Sequence, residues 1–140
     1  MPEHRDVCVV GGGVAGLTAA VYTARHGLET TVLDGGESVL GRNAHLENVP
    51  GFPAGVNARL FLEMLDDQAD EAGAERVATT VTAVTAAEAG FEVTTDDGED
   101  FWADYVVCAT KNATGYLDGV DGVGFVERGK TFVDCDERGR

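Results

Sequence analysis

Apolar positions along the chain change period several times, and each change marks an element. Residues 6–10, Asp-Val-Cys-Val-Val, form a nearly continuous apolar run stopped by glycine. That is the pattern of a strand covered on both faces, as in a parallel sheet. The alanine-rich stretch 17–26 predicts a helix closed by Gly27. Residues 29–34, Glu-Thr-Thr-Val-Leu-Asp, are β-branched at their centre and predict a second strand. Strand, helix and strand together occupy roughly 30 residues, the size of a βαβ unit.

Residues 35–56 lose all periodicity, carry scattered glycines and two prolines, and predict a loop. A loop of this length inside a compact domain is usually functional. Helical periodicity returns over 57–73. Leu60, Phe61, Met64, Leu65, Ala69 and Ala72 share one side, and Glu63, Asp66, Asp67, Asp70 and Glu71 share the other. From Arg76 to Thr110 the period drops to two. Residues 77–84 and 91–95 read as strands, Asp97-Gly98 as a hairpin turn, and 105–110 as a returning buried strand. The prediction is a small antiparallel β-meander feeding back into a parallel sheet. The glycine-rich tail carries one weak strand, 131–134. The fold class is α/β, one domain over residues 1–140.

Charge narrows the functions. The chain has 25 acidic and 10 basic residues, a net charge of −15, and only two lysines, Lys111 and Lys130. Such a surface repels phosphate backbones, so nucleic acid is excluded as a partner. It suits a protein kept soluble in high salt, an ordinary acidic protein being the alternative. No apolar run approaches the ~20 residues of a membrane span. The polar start Met1-Pro2-Glu3-His4-Arg5-Asp6 carries no signal-peptide pattern, which gives a cytoplasmic expectation. Cys8, Cys108 and Cys135 are widely spaced, which argues against a disulfide framework or a zinc site. Cys8 and Cys108 fall in apolar strands and are expected in the core. Cys135 is flanked by two aspartates that repel a thiolate, a poor setting for a nucleophile.

The chemistry concentrates after the first strand. Gly11, Gly13 and Gly16, with Gly12, Val14 and Ala15 between them, satisfy G-x-G-x-x-G. The first glycine permits a tight strand-to-helix turn. The second lets backbone N–H groups approach a pyrophosphate, and the third lets the helix pack close to the sheet. The phosphates then meet the positive end of a helix. Alone the motif is weak, but a strand precedes it, a helix follows it, and Asp34 closes the second strand, where a carboxylate accepts from ribose hydroxyls. Gly35 follows that acid directly. Residues 119–124 reverse the spacing and read as loop.

Beyond the glycine loop, the sequence resembles the FAD-binding domain of the thioredoxin reductase-like branch of the pyridine nucleotide–disulfide oxidoreductases. The resemblance rests on residues 9–25, on Glu47-Asn-Val-Pro-Gly-Phe-Pro53, on the helix at 57–73 and on residues 106–110, and it covers nearly the whole chain. It implies a Rossmann-like fold with FAD as cofactor. It also implies that Asn48 lies near the flavin and that Ala109 and Thr110 end the returning strand beside the cofactor. Arg42 and His45 are expected at solvated loop positions. The departures are as informative. The family's Cys-x-x-Cys and its NADPH domain have no counterpart here, and Gly35-Gly36-Glu37-Ser38-Val39-Leu40 only loosely matches the family's Gly-Gly-Gln-Leu. Lys111 stands where the family has glycine, and three roles stay open for it: filling space, reaching a phosphate, or pointing to solvent. The tail 125–140 resembles the segment that returns to the FAD domain, and the sequence ends before the family's Gly-Asp motif and closing helix. The resemblance thus implies a domain incomplete at its C-terminus, with a site open on one side.

Two functions follow. One is an FAD-dependent oxidoreductase, or the FAD-binding part of one, with NAD(P)H as electron donor and the redox chemistry carried by the flavin. No side chain stands out as acid, base or nucleophile, so no catalytic residue is nominated and no metal is expected. The other is a non-catalytic FAD- or NAD-binding module or a truncated fragment. An uncovered sheet edge invites pairing, so a homodimer is also an expectation.

Overall fold

The computed structural model describes residues 2–36 and 38–140. Met1 of the polar start and Glu37 of the loose Gly-Gly-Gln-Leu counterpart lie outside the described residues. Strand β1 (Glu3–Val10) leads into helix α1 (Val14–Arg25) and strand β2 (Thr30–Leu33). A 3-10 turn (Val39–Arg42) and the short strands β3 (His45–Leu46) and β4 (Val56–Asn57) precede helix α2 (Ala58–Ala72). Strands β5 (Glu75–Val77), β6 (Val81–Ala87), β7 (Gly90–Thr95) and β8 (Phe101–Cys108) follow. A second 3-10 turn (Gly115–Leu117) leads to the hairpin β9 (Gly124–Glu127) and β10 (Thr131–Asp134). The main sheet runs β5-β2-β1-β8-β7-β6. Its first four strands are parallel, and β7 and β6 are antiparallel. The α/β class and the antiparallel meander expected from the sequence are both present.

The apolar run of β1 is explained by its place near the middle of this sheet. Val7 and Val9 face the helices, packing with Leu17, Ala20, Val21, Ala24 and Ala69. Cys8 and Val10 face the other way, into a cluster with Leu33, Val84, Val93, Phe101 and Leu117. Small residues on α1 let it lie close to the strands, while Asn57 caps α2 by accepting from the Leu60 N–H at 3.0 Å. Gly73 ends α2 in the left-handed conformation, φ 102°.

Several expectations are corrected by the pairing. Strand β1 begins at Glu3, earlier than the apolar run, because Glu3, His4 and Arg5 pair with Phe101, Trp102 and Ala103 of β8. Helix α1 starts at Val14 rather than Leu17, directly from the glycine turn. Residues 77–84 are not one strand. Their start belongs to β5, which pairs with β2 in parallel, and their end to β6, which pairs with β7. Between them the chain turns away, with the Thr80 N–H and the Thr79 hydroxyl both bonded to Asp96 Oδ1. The 35–56 connection is not structureless. Leu46, Val56 and Ala58 form a small core of their own, supported by Phe52 and Phe61 in a T-shaped contact with ring centroids 6.1 Å apart. Gly124, in the stretch read as loop, opens β9, the unanticipated partner of the 131–134 strand.

Burial also departs from the pattern in two places. Cys8 is buried and its thiol is pushed up to about 11 by that burial, but Cys108 is exposed. The cause lies in the sheet: β7 pairs with β8 only over Phe101–Ala103, so residues 105–108 have β1 on one side and no described strand on the other. Tyr105, 67% exposed, shows the same gap. On α2, Ala69 is buried, whereas Leu60 and Met64, one turn apart at the flank of the apolar stripe, face outwards.

These burials predict opposite outcomes for two leucine truncations. Leu17→Ala, at the contact of α1 with the sheet, should lower stability by about 2–5 kcal/mol. Leu60→Ala, at a side chain that is 50% exposed, should change it by less than about 0.5 kcal/mol. Urea unfolding followed by circular dichroism measures both.

Candidate functional site

The C-terminal ends of β2, β1 and β8 lie side by side and open on one cavity. That is where ligands sit in open parallel sheets. In the middle, β1 ends in a turn whose first residue, Gly11, has φ 105°, a conformation that side chains rarely adopt. The turn is held from both sides: the Gly11 N–H donates to the Leu33 carbonyl at 2.9 Å, and the Ala109 N–H donates to the Val10 carbonyl at 2.8 Å.

Each glycine has its own reason. A Cβ on Gly16 would overlap the carbonyl oxygen of Gly11, so this glycine sets the closeness of α1 to β1. A Cβ on Gly11 would overlap the Ala109 carbonyl, and one on Gly12 would overlap the carboxylate of Asp34. Gly13 differs: among the described residues, a Cβ there would meet only Ser38 Oγ, at 3.5 Å, an ordinary contact. Helix α1 starts immediately after, with no side-chain cap and no acidic residue in its first turn. Among the described residues no side chain caps its first N–H groups, which can therefore bind an anion.

A cavity of about 380 Å³ is bounded by Gly11–Gly13, Asp34–Gly36, Thr79–Val81, Ala109–Lys111 and Tyr116. Of the residues expected from the sequence, Gly11, Gly12, Gly13, Asp34, Gly35, Ala109 and Thr110 all line it. Val14, Ala15 and Gly16 lie in the first turn of α1. Asn48 is exposed on the β3–β4 connection and is not among the residues bounding this cavity. A neighbouring cavity of about 510 Å³ shares Gly12 and Asp34 and is walled by α2 and Arg76.

Asp34 is held firmly. Its side chain is 12% exposed and accepts from Arg76 Nη2 at 2.6 Å, while Arg76 Nη1 reaches Asp66 Oδ2 at 3.1 Å. The hydrogen bond to Asp34 holds the Arg76 guanidinium above its ordinary value, partly opposed by burial. With Arg76 46% exposed, the pair contributes at most about 1 kcal/mol to stability, so its consequence is placement of the carboxylate. Sequence reading missed Arg76 because only the register of β5 beside β2, with Val32 opposite Arg76, carries it to the acid. It also missed Thr79 and Thr80, which sit in the turn between β5 and β6, and Val81, which opens β6. Gly35 is required against this turn, since a Cβ on it would overlap Thr80.

On the other side of the glycine turn, β8 ends in a tight bend. The Ala113 N–H donates to the Thr110 carbonyl at 3.0 Å, and the Thr110 hydroxyl donates to the Ala113 carbonyl at 2.7 Å. With that proton committed, the buried Tyr116 hydroxyl donates to Thr110 Oγ1 at 2.8 Å. Lys111 stands at the corner of this bend with φ 53°, the one non-glycine residue at positive φ among the described residues. For a side-chain-bearing residue that conformation costs roughly 1–2 kcal/mol.

A strand, a glycine turn and a helix, with an acid at the end of the adjoining parallel strand, define a dinucleotide-binding fold of the Rossmann type. The chain belongs to the pyridine nucleotide-disulphide oxidoreductase family, whose sequence pattern matches residues 5–138. It is similar to the thioredoxin reductase of Aquifex aeolicus, with 37% identity over 107 residues, 75% of this chain and 33% of that protein. It is similar to that of Rickettsia prowazekii, with 31% identity over 74% of this chain and 34% of that protein. A solved thioredoxin reductase from Gloeobacter violaceus superposes with a TM-score of 0.74 at 31% identity, covering 90% of this chain and 37% of the other. The chain therefore spans about a third of the length of these relatives. Among the described residues, no helix is long and apolar enough to cross a membrane.

The glycine geometry separates two substitutions that look alike on paper. Gly16→Ala forces a Cβ into a backbone carbonyl and should destabilise the fold by more than about 3 kcal/mol. Gly13→Ala has room and should shift stability by less than about 1 kcal/mol. Thermal unfolding of the two variants checks this contrast.

Proposed function

We propose that the chain is the FAD-binding part of a thioredoxin reductase-like oxidoreductase, with NAD(P)H as electron donor. The observation that carries this reading is the cavity that joins the open face of Gly13 to Asp34. An anion at the start of α1 and a ribose at Asp34 are the neighbours that an adenosine diphosphate moiety needs. The cofactor fits the donors present. The uncapped N–H groups at the start of α1 would hold the pyrophosphate, and the Asp34 carboxylate would accept from the ribose hydroxyls. Gly35 and Thr79–Val81 wall the part of the cavity beyond the acid, where the base would sit. Bound FAD would supply hydride acceptance and electron transfer, and this chain's residues bind and orient it.

The flavin end is a separate part of the proposal. It assigns Asn48 and the connection around it to the isoalloxazine ring, on the resemblance of Glu47–Pro53 alone. The adenine and pyrophosphate half rests on geometry. A non-catalytic module that holds the nucleotide without turnover is the competing reading, favoured by the gap beside residues 105–108, which leaves Tyr105 and Cys108 exposed near the cofactor strand.

Addition of FAD to the purified protein should quench the flavin's fluorescence with saturation, and Gly13→Ala should weaken that binding at least tenfold while keeping the fold. Saturable quenching followed by bleaching of the flavin band on addition of NADPH or NADH supports the oxidoreductase. Quenching without bleaching by either donor supports the module. Absence of quenching contradicts both.

A further inference from the structure

We infer that Lys111 is a phosphate-binding residue, whose ammonium meets the diphosphate of the bound dinucleotide from the β8 side of the glycine turn. The inference rests on the nucleotide reading above and adds a residue to it. Three observations carry it. First, position: β1 lies between β2 and β8, so Asp34 and Lys111 flank the glycine turn on opposite sides, and both line the same cavity. Among the described residues bounding that cavity, Lys111 is the one cation and Asp34 the one carboxylate. Second, competition: the other basic side chain near Asp34, Arg76, is already bonded to Asp34 and Asp66. Arg59 lines the neighbouring cavity and donates to the Gly41 carbonyl. Third, conformation: Lys111 occupies a positive-φ corner that glycine would take without strain. The bend is held by the hydrogen bonds of Thr110 with Ala113 and Tyr116, neither of which uses the Lys111 side chain. A lysine standing in a strained corner at the mouth of a cavity points to a role for its side chain.

Electrostatics gives that role a purpose. A chain with a net charge of −15 repels a diphosphate, and the cavity itself contains a carboxylate. The α1 N-terminus offers only partial positive charge. A full charge from Lys111 at the far side of the turn offsets the repulsion, on the side of the turn away from Arg76, which is engaged by Asp34 and Asp66.

The test separates conformation from charge. Lys111→Gly removes both the strain and the ammonium, and Lys111→Gln removes the ammonium alone. Lys111→Gly should raise the unfolding midpoint by about 3 °C. Both variants should weaken ADP about tenfold at low ionic strength, with a smaller difference at high salt. Adenosine, which lacks the diphosphate, should bind all three proteins alike. If ADP binds the variants as it binds the wild-type chain, Lys111 has no phosphate role and the inference is overturned, with the nucleotide site intact. If both variants weaken adenosine as strongly as ADP, the lysine acts on the shape of the site rather than on phosphate, and the inference is again overturned. If the wild-type chain binds neither ADP nor FAD, the nucleotide reading itself fails and takes the inference with it.

Discussion

The contact between Gly16 and the carbonyl of Gly11 governs the arrangement of this molecule. Helix α1 can lie directly on the end of β1 only because position 16 has no side chain. That closeness fixes where the helix begins, and the beginning of the helix fixes where its free N–H groups point. The same turn is tied to β2 through Leu33 and to β8 through Ala109, so three strand ends are brought level around it. Asp34 on one side and the Thr110 bend on the other then take positions that the turn dictates. A change in the glycine contact would move all of them together.

Packing around this turn divides the sheet into a tight part and an open part. On the helix face, α1 and α2 cover Val7 and Val9 with small residues, which lets two helices fit over two strands. On the other face, the meander folds back to bury Phe101, Val84 and Val93 against Cys8 and Val10. The second half of β8 has no neighbouring strand on one side among the described residues, and this is where aromatic and cysteine side chains reach the surface. The site stands between these regions: hydrogen-bonded to both flanking strands where the glycine turn and Asp34 lie, and bounded by the exposed bend of Lys111 towards the open part.

The sequence revealed what depends on neighbours in the chain. The apolar run of β1, the glycines, the acid at the end of β2 and the amphipathic α2 are local patterns, and each appears where its residues predicted. What stayed hidden depends on pairing between distant segments. The division of 77–84 into β5 and β6 follows from β2 taking one and β7 the other. The link from Arg76 to Asp34 spans 42 residues and has no local signature. The exposure of Cys108 contradicts its apolar surroundings in the sequence, because burial of a strand residue needs a second neighbouring strand as well as a face. Lys111 was legible as an odd residue, but its meaning needed the cavity and the positive φ.

We propose that the glycine turn and Asp34 form one anion-and-ribose site at the start of α1. Titration of isotopically labelled protein with ADP, followed through backbone amide resonances, tests it most directly. The largest shifts are expected at Gly12–Ala15 and at Asp34–Gly36, with smaller ones at Thr79–Val81 and little change in the β9–β10 hairpin. Shifts concentrated in the hairpin or on the exposed flank of α2, with the glycine turn unmoved, would contradict it.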